Sequence, residues 1–168
     1  NGVHSISARD ALEGPSEVYT HGGHEYWKLN GWYTFDEALA AADDVADSLI
    51  AAGRLAAGDR DLVHILEIDS DAENEFIINT FDDENGVLLG ITDREYEGIW
   101  LTHDDKYIPY SDWGVDSDGG GGEPNDWGNG EDYATVEEGR WKADDSDIGG
   151  WNDYGPNWFP ATSDLTVA

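Results

Sequence analysis

The chain has 168 residues and a net charge of −30, with 38 acidic against 8 basic side chains. This length suits one domain, whose core can draw on 8 tryptophans, 8 tyrosines and 4 phenylalanines. The charge excludes nucleic acid and anionic lipid as partners, because phosphate binding requires a basic patch. No apolar run has the length of a membrane-spanning helix, so we expect no membrane insertion.

The acidity has two competing interpretations. Clustered carboxylates repel one another until a divalent cation neutralises them, which would indicate calcium. Alternatively, a solvated acidic surface is an adaptation to a saline environment. The composition favours neither interpretation for the bulk of the charge. Because the chain lacks cysteine, no disulfide constrains the fold, and bound calcium could supply that constraint instead.

The first part of the chain predicts a strand followed by a helix. Residues 1–23 are polar, and we expect them to form a peripheral segment beside one domain that spans 24–168. The domain opens on a partly alternating run, 24–29, that predicts a strand. The capping box Thr34-Phe35-Asp36-Glu37 follows. Apolar residues then recur at helical spacing, which predicts a first helix from about 35 to 51.

The remaining elements complete an α+β class with two helices and small, mostly antiparallel sheets. A β-branched run predicts a strand over 62–68, and a second capping box opens a predicted helix over 71–81. Residues 87–91 predict a short buried strand, and 165–167 a closing strand beside the first. Between them, residues 92–160 are rich in Gly, Asp and Trp, and so long an irregular stretch is typical of functional loops.

This loop half carries many oxygen-donor side chains. They lie in Glu123-Pro124-Asn125-Asp126-Trp127-Gly128-Asn129-Gly130-Glu131-Asp132 and in Trp151-Asn152-Asp153 downstream. Calcium is bound by carboxylate and carboxamide oxygens on tight loops. The order of residue types therefore indicates a calcium site. Two alternatives stay open: solvated loop acids without an ion, and a calcium ion that only stabilises the loops.

Several stretches, in chain order, resemble C-type lectin-like domains. They are the second-helix sequence at 68–77, Leu88-Leu89-Gly90-Ile91-Thr92-Asp93, Glu97-Gly98-Ile99-Trp100, Tyr110-Ser111-Asp112-Trp113, the EPN motif at 123–125 and the WND motif at 151–153. The resemblance covers roughly 24–168 and implies a C-type lectin-like fold with a long calcium-binding loop region. The chain departs from the family by lacking cysteines, by a longer link after the first helix, and by extra residues at about 140–150.

The resemblance implies a principal calcium site that also binds a sugar. The matching residues are Glu123, Asn125, Glu131, Asn152 and Asp153. Pro124 matches a proline whose peptide bond is cis in calcium-loaded members of the family. Calcium takes 6–8 oxygens, so five side chains leave positions that two neighbouring sugar hydroxyls can fill. The extra residues leave open whether Asn152 and Asp153 are correctly placed. Trp141 is the alternative for the motif's tryptophan, but Lys142 and Ala143 after it supply no ligands.

A second, auxiliary calcium ion is also implied by the resemblance. Its matching residues are Asp93, Glu97, Asp126, Glu131 and Asp132. Glu131 would bridge both ions, and Asp126 directly follows Asn125, so the two ions would share one loop. The alternative is that Asp93 and Glu97 only face solvent.

The order Glu-Pro-Asn goes, in the resembled family, with mannose, fucose and N-acetylglucosamine, whereas Gln-Pro-Asp goes with galactose. Trp127 follows the motif directly, and its ring can stack on the apolar face of a sugar. Packing of Trp127 against the glycine-rich loop is the competing interpretation. The predicted ligand-binding residues are Glu123, Asn125, Trp127, Glu131, Asn152 and Asp153.

The predicted function is calcium-dependent carbohydrate binding by an extracellular or cell-surface lectin module. The acidic, cysteine-free composition resembles lectin modules of bacterial surface adhesins, which implies a role in cell adhesion. The alternative is a calcium-stabilised module on the same fold that binds protein, peptide or ice. We expect no enzyme, because a catalytic acid needs an apolar setting and these carboxylates lie among other acids.

The histidines and the remaining tryptophans carry no predicted function. His21 and His24 have spacing that could suit a transition metal, but a third ligand is not evident, and His64 and His103 lie far from them in sequence. Six tryptophans are predicted to lie in the core: Trp27, Trp32, Trp100, Trp113, Trp151 and Trp158.

Overall fold

The computed structural model describes residues 17–81, 86–114, 123–124, 130–136 and 150–166. Their strands are β1 (Glu17–His21), β2 (His24–Lys28), β3 (Val63–Ile65), β4 (Val87–Thr92), β5 (Tyr133–Val136), β6 (Trp151–Tyr154) and β7 (Thr162–Thr166). Their helices are α1 (Phe35–Ala51), α2 (Asp71–Thr80) and a short 3-10 helix, Ala57–Leu62. In this part of the chain, no helix combines the length and the apolar character needed to cross a membrane.

The strands form two antiparallel sheets, which confirms the predicted α+β class. One sheet has the order β1-β2-β7-β3, and the other has the order β4-β5-β6. Strand β7 lies beside β2, as predicted for the closing strand. Asp164 of β7 pairs with Tyr26 on one side and with His64 on the other. Because side chains alternate across a sheet, these three residues share one face, opposite to Trp27 and Leu165.

Helix α1 begins and ends where the sequence predicts. Its capping box is complete: Oγ1 of Thr34 accepts from the N–H of Glu37 at 3.1 Å, and the N–H of Thr34 donates to Oε1 of Glu37 at 2.9 Å. The buried side of the helix, which includes Leu49, lies in one core cluster with Trp27 and Leu165 of the sheet. The helix therefore covers one face of the four-stranded sheet.

Helix α2 departs from its predicted capping box. Oγ of Ser70 accepts from the N–H of Glu73 at 3.1 Å, as predicted. The Glu73 carboxylate instead accepts from the N–H of Asp69 at 2.9 Å and from the hydroxyl of Tyr26. Glu73 is only 2 % exposed, and a buried carboxylate must be hydrogen-bonded to be tolerated. The Tyr26 hydroxyl supplies a donor that the sequence pattern around the helix does not reveal.

The two sheets meet at a close backbone approach on Gly90 of β4. The N–H of Gly90 donates to the carbonyl of Leu66 at 2.7 Å. A Cβ at this position would lie 2.7 Å from the carbonyl oxygen of Ile65, so only glycine fits. The interior divides here into a cluster around α1 and a second cluster that includes Ile77 and Trp151.

Three predicted boundaries differ in the structure. Part of the predicted peripheral segment 1–23 forms β1, an edge strand, so the sheet begins before His24. The strand predicted at 62–68 ends at Ile65, because Leu66 donates to Thr162 while its carbonyl accepts from Gly90 of the other sheet. The predicted irregular half contains two further strands, β5 and β6, whose four-residue length gives little pattern to detect.

Two of the tryptophans predicted for the core lie on the surface instead. Trp32 is 54 % exposed and Trp158 is 56 % exposed, whereas Trp27, Trp100 and Trp151 are buried. Trp32 directly precedes Tyr33 in sequence, and Trp158 directly precedes Phe159. Tyr33 and Phe159 form an isolated β-bridge. Phe159 is buried, and alternation turns its neighbour Trp158 outward.

Candidate metal and ligand site

The WND motif is part of strand β6. Trp151 pairs with Val136 of β5 and is 1 % exposed. Asn152 and Asp153 follow in the same strand and are also buried. Residues 140–149 lie outside the described part of the chain, yet the extra length leaves the motif in regular register with β5. Trp151 therefore takes the core position expected of the motif's tryptophan.

Glu131 and Asp132 lie directly before β5, next to the strand that carries the WND motif. In the β5–β6 pair, Ala134 lies opposite Asp153. The carbonyl of Asp132 accepts from Oγ1 of Thr92 at 2.7 Å and from the N–H of Asp93 at 3.3 Å. These bonds join the start of β5 to the end of β4.

The EPN motif is connected to the WND motif through Gly114. The N–H of Glu123 donates to the carbonyl of Gly114 at 2.9 Å, and the N–H of Gly114 donates to the carbonyl of Trp151 at 2.8 Å. The peptide bond between Glu123 and Pro124 is cis, as expected. A relay of two backbone hydrogen bonds through Gly114 thus connects two motifs that are 28 positions apart in sequence.

The remaining predicted residues of this loop are Asn125, Asp126 and Trp127, and all three lie outside the described residues. Of the predicted principal set, Glu123, Glu131, Asn152 and Asp153 are described. The structure therefore brings three chain segments together: the residue before Pro124, the start of β5 and the body of β6.

A group of three carboxylates lies at the junction of β4 and β5. Asp93, Glu97 and Asp132 each have a carboxylate oxygen within 4.8 Å of the others. Asp93 is 3 % exposed; its Oδ2 accepts from the N–H of Gly98 at 2.9 Å, while its buried Oδ1 has no hydrogen-bond donor among the described residues. Glu97 is exposed, which is compatible with the alternative that it only faces solvent. Asp93 is buried, which is not compatible with that alternative.

The electrostatics of this group are unfavourable without a cation. Burial, together with the neighbouring carboxylates of Glu97 and Asp132, raises the pKa of Asp93 to about 7 against the opposing hydrogen bond from Gly98. Carboxylates that repel one another must bind a proton or a cation. The donors are all oxygens, one of them buried without a donor among the described residues, and this chemistry fits calcium.

The histidines that looked scattered in sequence are not scattered in space. His64 and His103 stack with ring centroids 4.4 Å apart, and Glu67 lies against both. His24 donates from Nδ1 to Oδ1 of Asp164 at 2.9 Å. His64 and Glu67 are three residues apart in the run 62–68, whereas His103 comes from a distant segment, so the sequence gives little sign of the group.

The same architecture occurs in solved structures. C-type lectin CEL-I from Cucumaria echinata matches with a TM-score of 0.64 and 20 % identity, over 92 % of this chain and 98 % of that one. The cow CD23 C-type carbohydrate-recognition domain, solved in the presence of a GlcNAc2Man3 oligosaccharide, matches with a TM-score of 0.64 and 21 % identity, over 90 % and 94 % of the chains. A calcium-independent type II antifreeze protein matches with a TM-score of 0.60 and 18 % identity, over 92 % and 95 %.

The protein has the C-type lectin-like fold. No protein-family model matches the sequence, and no curated protein matches it significantly. The neighbours on this fold include carbohydrate-recognition domains and an antifreeze protein, and those named above are binding domains. The C-type lectin-like fold therefore does not determine the ligand, which depends on the residues of the loop site.

Proposed function

We propose that this protein is a calcium-dependent carbohydrate-binding module that recognises glycans of the mannose, fucose or N-acetylglucosamine type. The observation that carries the proposal is the hydrogen-bond relay from Glu123 through Gly114 to Trp151. The relay supports a single site formed by the EPN and WND motifs, because it leaves little freedom between them. Glu131 lies two residues before β5, the strand that pairs with the WND strand.

The principal ion would be held by five oxygen-donor side chains: Glu123, Asn125, Glu131, Asn152 and Asp153. When bound, calcium supplies open coordination positions for two neighbouring sugar hydroxyls. The chain's own residues then complete recognition, since carboxylates accept from sugar hydroxyls and carboxamide N–H groups donate to them. Trp127 adds an aromatic surface for the apolar face of the sugar ring.

The auxiliary ion would be held by the carboxylates of Asp93, Glu97, Asp126, Glu131 and Asp132. The unfavourable clustering of Asp93, Glu97 and Asp132 supports it, because the group needs a positive charge. Its role is to fix the loop that carries the principal site. Binding of the two ions is therefore expected to be cooperative.

We place the module outside the cell or on its surface, in an adhesin that attaches cells to glycans. The proposed role is binding without catalysis. At low ionic strength, the strongly negative net charge disfavours self-association of such a module.

A second candidate is a module that binds protein, peptide or ice. It is favoured by one observation, the structural likeness to a calcium-independent antifreeze protein with a TM-score of 0.60. On that candidate, binding of the target would not be inhibited by any monosaccharide.

Calorimetric titration with a monosaccharide panel, with and without calcium, tests the proposal. We expect mannose or fucose to bind only with calcium, and a double variant, Glu123→Gln with Asn125→Asp, to weaken that binding at least tenfold. The matched control carries the same two chemical changes on the exposed side of α2, Glu75→Gln with Asn79→Asp, and should bind like the parent. Binding of galactosides alone, or equal binding by both double variants, would contradict the proposal.

A further inference from the structure

A second group of metal-binding side chains lies outside the carboxylate loops. His64 is on β3, Glu67 follows on the next loop, and His103 lies in the turn 102–105. One donor atom of each residue lies within 4.8 Å of the other two. Two imidazole nitrogens and one carboxylate oxygen suit Zn²⁺ and its neighbours in the first transition row, whereas calcium prefers oxygen ligands only.

Glu67 is the centre of this group. Its Oε2 lies 2.6 Å from Nδ1 of His103, 3.3 Å from the backbone N–H of His103 and 3.8 Å from Nδ1 of His64. In a tetrahedral zinc site with bonds of about 2.0–2.1 Å, neighbouring ligand atoms are about 3.3 Å apart. The carboxylate oxygen and the two rings are therefore spaced on the scale of a coordination sphere, and the change that an ion requires is the rotation of a ring.

One ring must turn when an ion enters. The two imidazoles stack with 15° between their planes, and nearly parallel rings cannot both direct an in-plane lone pair at one ion. His64 is 7 % exposed, and its Nδ1 donates to the carbonyl of Ile65 at 2.8 Å, which leaves the lone pair on Nε2. His103 lies on an exposed turn, so it is the ring that turns.

The surroundings offer both space and charge for a cation. His64 and Glu67 line a cavity of about 90 Å³ together with Thr102, His24 and Asp69. This volume is enough for an ion and its remaining water. Asp164, fully buried, lies directly across from His64 on β7 and accepts from the N–H of Glu67 at 3.4 Å. The Asp164 carboxylate is itself paired with His24, at 2.9 Å between Oδ1 and Nδ1, so Glu67 is the carboxylate that favours a cation in the cavity.

We propose that His64, Glu67 and His103 bind Zn²⁺, and that the ion cross-links β3 to the turn at 102–105. The link joins Glu67 and His103, which are 36 positions apart in sequence, in a protein that has no cysteine. An ion that binds only the folded chain stabilises it by mass action, because its binding free energy is lost when the chain unfolds. The site is separate from the proposed sugar site, and its failure leaves carbohydrate binding unaffected.

The test is titration of the full chain with ZnCl₂ at saturating CaCl₂, so that the oxygen-only sites are filled before zinc is added. We expect one zinc ion per chain, a melting temperature raised by several degrees, and loss of the stacked-ring signature of His64 and His103 in NMR spectra. His64→Gln and His103→Gln should each weaken zinc binding at least tenfold. His21→Gln, a histidine outside the group, should bind like the parent.

Three outcomes would overturn the inference. The first is absence of zinc binding by the parent chain, and the second is zinc binding by the His64→Gln and His103→Gln variants that equals that of the parent. The third is loss of zinc binding in a His24→Gln variant alone. The last result would place the ion at His24, Asp69 and Glu73 instead. Should His64→Gln fail to fold, Co²⁺ added to the parent chain gives an independent reading. Absorption bands typical of tetrahedral nitrogen and oxygen ligation support the site, and an octahedral spectrum contradicts it.

Discussion

Asn74 accepts a hydrogen bond from the indole N–H of Trp151, with 2.9 Å between Oδ1 and Nε1. Both side chains are buried, at 0 % and 1 % exposure. Asn74 belongs to α2 and Trp151 to the WND motif, so this bond fixes the strand that carries Asn152 and Asp153 against the helix. A buried indole N–H that loses its acceptor costs more than the bond itself contributes.

Asn74→Ala is therefore expected to lower the free energy of unfolding by about 2–3 kcal/mol, because it leaves a cavity and an unpaired indole N–H. Urea unfolding measures the change. The matched control is Asn79→Ala on the exposed side of the same helix, which should stay within about 0.5 kcal/mol of the parent. Equal effects of the two substitutions would mean that the Trp151 bond contributes nothing.

The His24 cluster predicts that stability falls as the pH rises from about 5 to 9. The hydrogen bond to Asp164, with smaller contributions from the carboxylates of Glu73 and Asp69, raises the pKa of His24 from 6.5 to about 9 against the opposing effect of burial. Burial raises the pKa of Glu73 to about 7, despite its hydrogen bond from Tyr26. Both groups hold their protons more tightly in the folded chain.

The sign follows from linkage. The His24 contribution is complete below pH 6.5 and is lost as the pH rises through 9, and the Glu73 contribution is complete below its ordinary pKa and is lost through pH 7. After discounting for solvent screening, the two together amount to about 1–3 kcal/mol. Urea unfolding at several pH values measures the slope. His24→Gln should flatten it above pH 6.5, His21→Gln should not, and a rising slope would contradict the assignment.

Local patterns predicted the first half of the fold well. The capping box at Thr34 and the apolar spacing behind it need only neighbours in sequence, so α1 was predicted from end to end. The second capping box was wrong in its return bond, because the buried Glu73 carboxylate is also bound by Tyr26, 47 positions away. Strands β5 and β6 were missed because four residues carry too little alternation to be distinguished from a loop.

The candidate site was likewise predictable where its features depend on residues close in sequence, and not where they depend on tertiary packing. The types and order of its oxygen donors are local, so the sequence showed them, and the cis peptide bond at Pro124 was expected from the motif. The relay through Gly114 and the meeting of His64 with His103 depend on tertiary packing. A glycine and a histidine carry no sequence mark that distinguishes such positions from ordinary loop residues.

Gly90→Ala is expected to destabilise the protein by about 2–4 kcal/mol, because the added methyl group would meet the Ile65 carbonyl at 2.7 Å and push the two sheets apart. The control is Gly58→Ala in the 3-10 helix, where a Cβ meets nothing within 4 Å and the change should be close to neutral. Thermal unfolding measures both. A Gly90→Ala variant as stable as the control would mean that the sheets separate easily, and the backbone amide that donates to the Leu66 carbonyl would then be expected to exchange its proton quickly.

Asp93→Asn tests the carboxylate group by an effect whose sign depends on calcium. Without calcium, the substitution removes a buried charge beside two other carboxylates, so the melting temperature should stay equal or rise. With calcium, it removes a charged ligand, so the rise in melting temperature on adding calcium should shrink by at least half. Glu95→Gln, an exposed neighbour outside the group, is the control and should keep the full calcium response. Asparagine keeps the shape of aspartate and removes only its charge. The same calcium response in Asp93→Asn and Glu95→Gln would therefore exclude an ion at Asp93.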